Sequence, residues 1–167
     1  MRRPIGVLAL ALVVMSACQL DGLAFKEDQR VDIVSPDYRE ILGLPATIEW
    51  EITDEDLQAR LGSATRFGLF MDIDPQPPGE SLDYFGRNDP TCKRDPDCPD
   101  TRYLRQRGIH VTTDTEMTFK TLPIAPGVDL DRGDPDFHEA TLVLLDEEGK
   151  RVGESAWAII FEIERGD

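Results

Sequence analysis

The sequence is poor in the residues from which catalytic and metal centres are most often built. Its 167 residues include two histidines and three cysteines, and aromatic residues make up only 7%. The chain also lacks a Gly-x-Ser-x-Gly segment, which would place a nucleophilic serine on a sharp turn. These shortages disfavour a hydrolase with a nucleophile elbow and a metal centre built from many histidines and cysteines.

Positive charge is scarce as well. The chain has 18 Lys and Arg residues against 33 Asp and Glu residues, for a net charge of −15. Such a charge disfavours binding to nucleic acid or to anionic lipid through surface electrostatics. Because the acidic residues are spread along the chain rather than grouped in a tail, we expect most of them to form a solvated surface.

Long apolar runs are limited to the N-terminus. Residues 5–15 are almost wholly apolar and follow Arg2 and Arg3, and small residues come next, which is the pattern of a secretory signal peptide over residues 1–17. A transmembrane helix needs roughly 20 apolar residues, so this run is too short to span a bilayer stably. Without residues 1–17 the chain keeps 16 basic and 33 acidic residues, a net charge of −17.

The segment Met15-Ser16-Ala17-Cys18 resembles the lipobox of bacterial lipoproteins. The resemblance implies that Cys18 becomes a multiply acylated N-terminus and that residues 18–30 form a tether to the membrane. Gln19 stands where an aspartate would favour retention at the inner membrane, so the resemblance implies the outer membrane, at its periplasmic face or at the cell surface. The competing interpretation is ordinary signal peptidase cleavage, which after Ala17 would put the bulky Met15 where a small residue is preferred.

Acylation of Cys18 leaves Cys92 and Cys98 as an even pair in an oxidising compartment. We therefore predict a disulfide between them, and a ring this short contributes roughly 2–2.5 kcal/mol in the chain-entropy model. The pair lies within residues 74–107, a segment rich in Pro, Gly, Asp and Arg that shows no strand pattern. We expect this segment to be one long, disulfide-stapled loop excursion on the surface.

Apolar and polar residues alternate along most of the remaining chain, which is the pattern of half-buried strands. Strands are predicted over residues 31–35, 47–52, 67–73, 108–112, 115–121, 140–145 and 156–163. The last two flank a turn-rich connection at 146–150 and should form a hairpin. One short helix is predicted from a cap at Thr53 to Gly62.

The order of these features resembles that of the immunoglobulin-like and fibronectin-type-III-like domains of bacterial surface proteins. The shared features are Ser-Pro after the first strand, a buried Trp50 in the second, and the final hairpin. The resemblance implies an all-β fold over residues 31–165, an antiparallel immunoglobulin-like β-sandwich of about seven strands with one short helix. The Cys-Trp-Cys arrangement of antibody domains is absent, because Cys92 and Cys98 lie too close together to bridge two sheets.

The two histidines are the natural candidates for catalysis. His110 alternates with Ile109 and Val111 and is predicted to face outward. His138 lies beside Glu139, and we predict a surface or strand-end position for it. An enzyme that uses His138 with neighbouring carboxylates is one alternative for the function, and it requires a nucleophile or buried carboxylate beside the imidazole.

Two acidic loops have the oxygen ligands that Ca²⁺ prefers. The first contains Asp129, Asp131, Asp134 and Asp136, and the second contains Asp95, Asp97 and Asp100. The first loop departs from an EF-hand because it has glycine at the fifth position and alanine at the twelfth. Arg132 would also repel a cation, so the competing interpretation is a solvated loop that uses Asp for turn geometry.

These observations predict a non-enzymatic, membrane-anchored lipoprotein that binds or spaces a partner at the cell envelope. The partner would be an envelope protein or a polysaccharide, and nucleic acid is disfavoured by charge. Residues 74–107 and 126–137 are the predicted binding surfaces. The alternatives are a calcium-binding extracytoplasmic domain and the His138 enzyme.

Overall fold

The computed structural model describes residues 30–54 and 66–165. Cys18, the signal-peptide segment and almost all of the predicted helix at 53–62 lie outside the described residues. Within the described part of the chain, no helix has the length and the apolar character needed to cross a bilayer.

Eight strands and one short α-helix are present in these described residues. In chain order these are β1 Val31–Ser35, β2 Ile41–Leu42, β3 Ala46–Ile52, β4 Arg66–Met71, α1 Thr101–Arg105, β5 Ile109–Thr112, β6 Glu116–Phe119, β7 Phe137–Leu145 and β8 Trp157–Ile163. The smaller sheet has the order β1-β3-β6, and the larger has the order β2-β8-β7-β4-β5. All strand pairs are antiparallel except β2 with β8, which is parallel.

The predicted strands are confirmed, with shifted ends. The final hairpin pairs Ala140 with Ile159 and Leu142 with Trp157. Its turn is held by the Asp146 side chain, which accepts hydrogen bonds from the backbone N–H groups of Glu148 and Lys150. Two strand features were not predicted: β2 contains only two residues, too few for a pattern, and β7 begins three residues earlier than expected.

The first hydrophobic core lies between the two sheets. Ile48 and Trp50 of the smaller sheet pack against Phe67, Leu69 and other apolar residues of the larger sheet. Trp50 is buried as predicted, and its ring meets that of Phe67 edge to face at a centroid distance of 5.4 Å. Alternation along these strands therefore places one side chain in every two between the sheets.

A second core lies on the opposite face of the larger sheet. Phe70, Val143 and Leu145 point away from the first core and are nevertheless fully buried. They are covered by Leu104 and by further apolar residues of the segment 74–107. We call the whole segment 74–107 the covering layer. The prediction of a surface excursion is therefore wrong in one respect: this segment shields the second face of β4, β5 and β7, because both faces of β4 and β7 are apolar.

The covering layer has local structure that the sequence pattern did not indicate. It contains 3₁₀ turns at Leu82–Phe85 and Cys92–Arg94 in addition to α1. The predicted disulfide between Cys92 and Cys98 is confirmed. The layer returns to the sheet at Gly108, whose φ is +77° and whose Cβ would clash with the carbonyl oxygen of Met71. Glycine is therefore required where the layer closes onto β4.

Candidate functional site

His138 is the second residue of β7, so the predicted strand-end position is confirmed, but the side chain is fully buried and a surface position is wrong. Only 1% of it is exposed. Because β7 begins at Phe137, His138 lies on the strand face that Ala140 and Leu142 turn toward the first core. Its ring stacks on that of Phe161 at a centroid distance of 5.7 Å.

Both ring nitrogens of His138 are engaged by carboxylates. Nδ1 lies 2.7 Å from Oδ2 of Asp72, and Nε2 lies 3.3 Å from Oδ2 of Asp136. An ionised carboxylate only accepts hydrogen bonds, so an imidazole that bonds to two of them must donate from both nitrogens. The geometry therefore favours the imidazolium form of His138.

Asp136 connects this histidine to the end of the described chain. It is buried, and its carboxylate accepts hydrogen bonds from the backbone N–H of Ala125 at 2.8 Å and from Nε of Arg165 at 2.6 Å. Arg165 also donates to the carbonyl oxygens of Leu122 and Pro123. Burial alone would raise the pKa of Asp136, but the bonds from Ala125, Arg165 and His138 together hold it below its ordinary value.

Asp72 closes the network on the other side. It follows β4 with φ at +56°, a left-handed conformation that aspartate tolerates better than most residues. Its Oδ1 accepts the backbone N–H of Glu139, and its own N–H donates to the carbonyl of Glu139. Alternating charges thus run from Asp72 through His138 and Asp136 to Arg165, and we call these four residues the charge network.

Protonation of His138 links the charge network to pH. Burial lowers the pKa of His138, but its bonds with Asp72 and Asp136 outweigh burial and raise that pKa above the ordinary value. A histidine whose pKa is raised on folding adds stability that is fully present below its unfolded pKa, about 6.5, and is lost as pH rises through the folded pKa. We expect the free energy of unfolding to fall as pH rises from about 6.5 through that folded value. Urea unfolding at a series of pH values measures this slope.

The control is His138→Gln, in which this part of the slope should vanish. Measurement above pH 6.5 separates His138 from His110, because burial lowers the pKa of His110 and its contribution therefore changes only below about 6.5. Titration of the imidazole by NMR provides a second measurement if the variant does not fold. A flat profile, or an imidazole that loses its proton below 6.5, would contradict the prediction.

A cleft opens beside the charge network, between the end of β4, the turn at 125–126 and the edges of β7 and β8. Its volume is about 430 Å³, and we call it the end cleft. Asp72, Asp74 and Glu139 supply its carboxylates. Its remaining lining consists of His138 and the apolar residues Ile73, Ala125, Pro126, Phe137 and Ile160. A mixed apolar and polar lining of this kind is typical of binding sites.

The predicted calcium ligands of the first acidic loop are not brought together. Asp136 is buried in the charge network, whereas Asp129 forms an ion pair with Arg132 at 3.0 Å and Asp134 accepts from the N–H of Asp129. Asp131 lies exposed in a 3₁₀ turn at Leu130–Arg132. In residues 30–54 and 66–165, no group of three or more His, Cys, Asp or Glu side chains is placed to hold a metal ion.

The second acidic loop uses its carboxylates for local geometry. Asp100 caps α1 by accepting the N–H of Tyr103 at 2.7 Å, and Asp95 accepts the N–H of Asp97 at 3.1 Å. Both contacts are the turn and cap bonds that aspartate commonly makes.

The alternative of a calcium-binding domain is tested by thermal unfolding in EDTA and in excess Ca²⁺. We expect the two melting curves to coincide, because the candidate carboxylates are dispersed or already bonded. A ligand that binds only the folded state at 100 times its Kd stabilises it by about 2.7 kcal/mol, so a real site would separate the curves. Mg²⁺ at the same concentration controls for ionic strength, and a shift specific to Ca²⁺ would contradict the expectation.

His110 does not face outward as predicted. It is half-buried, and its ring packs edge to face against Phe119 at a centroid distance of 5.0 Å. The prediction assumed one solvated face for β5, but Ile109 and Val111 pack into the second core and leave His110 on the side of the first. His110 thus contributes to packing at the edge of the two sheets.

Asp136 and His138 carried a signal that pattern analysis could have used, since residues two apart lie on one face of a strand. Asp72 and Arg165 had no such signal, because only the strand pairing brings them to β7. No protein-family model matches this chain, and comparisons with curated proteins and with solved structures also return no significant match.

Proposed function

We propose that this protein is a membrane-anchored lipoprotein of the bacterial envelope whose β-rich domain is a non-enzymatic binding module. The anchor is proposed from residues 1–18, with Cys18 acylated and Gln19 favouring the outer membrane. The partner would be another envelope component, and the end of the domain that holds the end cleft would bind it.

The strand order supports an immunoglobulin-like fold for this module. A three-stranded sheet, β1-β3-β6, packs against a sheet in which β8, β7, β4 and β5 are neighbours, and the short β2 adds in parallel to β8. In this interpretation the covering layer is an insertion between β4 and β5, the third and fourth strands of the seven-strand pattern. The fold is one that commonly serves as a structural or binding module, and it does not by itself specify a ligand.

The enzyme alternative requires a buried carboxylate beside the imidazole, and Asp136 meets that requirement. The observation that carries the non-enzymatic proposal is that neither ring nitrogen of His138 is free. A general base needs a nitrogen lone pair within reach of substrate. Here both nitrogens point at carboxylates and the side chain has no exposed surface. His138 therefore positions Asp72 in the lining of the end cleft. An enzyme that used His138 as a base would first have to break its bonds to Asp72 and Asp136.

The anchor is tested by feeding cells a clickable fatty acid and separating membrane from soluble fractions. The expected result is label on the protein and recovery with the membrane, both lost in Cys18→Ser. A signal-peptide control with Ser16→Ala should leave the label in place, because alanine is also small. Unlabelled protein in the soluble fraction would refute the anchor.

The binding module is tested by photo-crosslinking in intact cells. A photoreactive side chain replaces Tyr38 or Ile124, which are exposed near the end cleft, or Val152, which is exposed at the opposite end. Discrete adducts from the first two positions and none from Val152 are expected. Equal adducts from all three positions, or none from any, would count against a binding surface at this end.

A further inference from the structure

Exposed apolar side chains concentrate at one end of the two packed sheets. The chain enters β1 at Arg30, next to Thr53, and the end cleft lies at the other end of the strands, roughly 20 Å away for strands of five to seven residues. Among the described residues, the exposed large hydrophobics of the cleft end are Val34, Tyr38, Ile41, Leu44, Ile124 and Leu130, whereas Val152 alone lies at the end near Arg30. Grouped exposed apolar residues mark interaction surfaces.

The negative charge of the end cleft favours a cationic partner over an anionic one. Asp72, Asp74 and Glu139 contribute three carboxylates. Both oxygens of Asp72 are bonded, to His138 and to the N–H of Glu139, and Glu139 accepts a bond from the Thr141 hydroxyl at 3.3 Å. Asp74 is exposed, and its carboxylate has no hydrogen-bond partner among the described residues. A basic group beside the cleft is Arg39, whose guanidinium lies over the rings of Phe137 and Tyr38 at 5.3 Å and 5.7 Å.

We propose that the end cleft receives a lysine or arginine side chain of a protein partner, whose neighbouring apolar residues cover exposed hydrophobics at the same end of the sheets, Tyr38 and Ile124 first. The aliphatic stem of such a side chain would pack on Ile73 and Ile160, and its charged head would reach Asp74 and Glu139. The proposal rests on the proposed binding function and names the chemistry of the partner. Charge complementarity carries it, because a mature chain with 16 basic and 33 acidic residues, a net charge of −17, repels an acidic partner from a cleft that is itself acidic.

The test is an NMR titration with hexylammonium, which combines a cation with an apolar stem, and with hexanoate, which has the same stem and opposite charge. The protein is the whole mature chain with Cys18→Ser, which needs no detergent. Saturable shifts with hexylammonium are expected at the amides of Ile73, Phe137 and Ile160, with none at Val152. Hexanoate should leave all of these amides unchanged.

Two double variants, each of which removes two negative charges, test whether the carboxylates of the cleft bind the probe. Asp74→Asn with Glu139→Gln should weaken hexylammonium binding about tenfold, since it removes both carboxylates proposed to face the cation. Glu147→Gln with Glu148→Gln, in the exposed turn at the opposite end, should leave the affinity unchanged. Arg39→Gln should strengthen binding, because it removes the cation beside the cleft.

Three outcomes would overturn the proposal. They are equal shifts with both probes, full binding by the Asp74 and Glu139 double variant, or shifts at the cleft that depend on protein concentration alone and so indicate a second copy of this chain. None of them depends on acylation or on a cellular partner. Failure of the labelling and crosslinking experiments would therefore refute the proposed function separately from the chemistry of the cleft.

Discussion

Asp136→Ala is expected to lower the free energy of unfolding by about 3–5 kcal/mol, because it removes one member of a buried ion network and leaves the others without their partner. The Nε2–H of His138 and the N–H of Ala125 would both lose their acceptor. Arg165 would lose the carboxylate that holds it against the 122–123 backbone, and the whole end of the two sheets would loosen. Urea unfolding at pH 7 measures the loss.

Asp134→Ala is the matched control, because Asp134 is exposed only two residues away and accepts just a long bond, 3.3 Å, from the N–H of Asp129 within its own loop. Its cost should stay within about 0.5 kcal/mol, as for most surface substitutions. Asp136→Asn keeps an acceptor for Ala125 but removes the negative charge, so an intermediate loss is expected, and this variant is the second measurement if the alanine variant does not fold. Equal costs at positions 134 and 136 would show that the charge network contributes nothing to stability.

The two-sheet body could be predicted because alternation is a local property of each strand. The residues that alternate in β3 and β8 are the residues that pack between the sheets. The same logic failed for the face that Phe70 and Val143 share, because a strand buried on both sides has no polar face to reveal its orientation. The pattern therefore predicts a surface position for the covering layer. Its few apolar residues are nevertheless sufficient to close the second core.

The charge network could not be predicted for a different reason. Its members come from positions 72, 136, 138 and 165, and their meeting depends on the pairing of Met71 with Ala140 and of His138 with Phe161. A register shift of one residue would turn His138 to the other face of the sheet. Composition suggested only that carboxylates are common in this chain, so the pairing of particular carboxylates with His138 required the strand register.

Phe70→Ala is expected to destabilise the protein by about 3–5 kcal/mol, the usual cost of removing a phenylalanine from a packed core. Phe70 has no exposed surface, and its ring lies 5.8 Å from that of Phe85 in the covering layer. Leu104 and Val143 belong to the same cluster. The cavity would open between the sheet and the layer, so local opening of the layer should increase together with the global loss of stability.

Two measurements separate this prediction from a general weakness of β4. Phe70→Leu conserves most of the volume and should cost less than about 1.5 kcal/mol, and Arg66→Ala, on the exposed end of the same strand, should cost within about 0.5 kcal/mol. Limited trypsin digestion, analysed after reduction, should cut Phe70→Ala faster than the wild type at Lys93 and Arg102, because both sites lie in the layer that Phe70 supports. If Phe70→Ala instead behaved like Arg66→Ala, residues 74–107 would be a surface loop after all, and the second face of the larger sheet would be open to solvent.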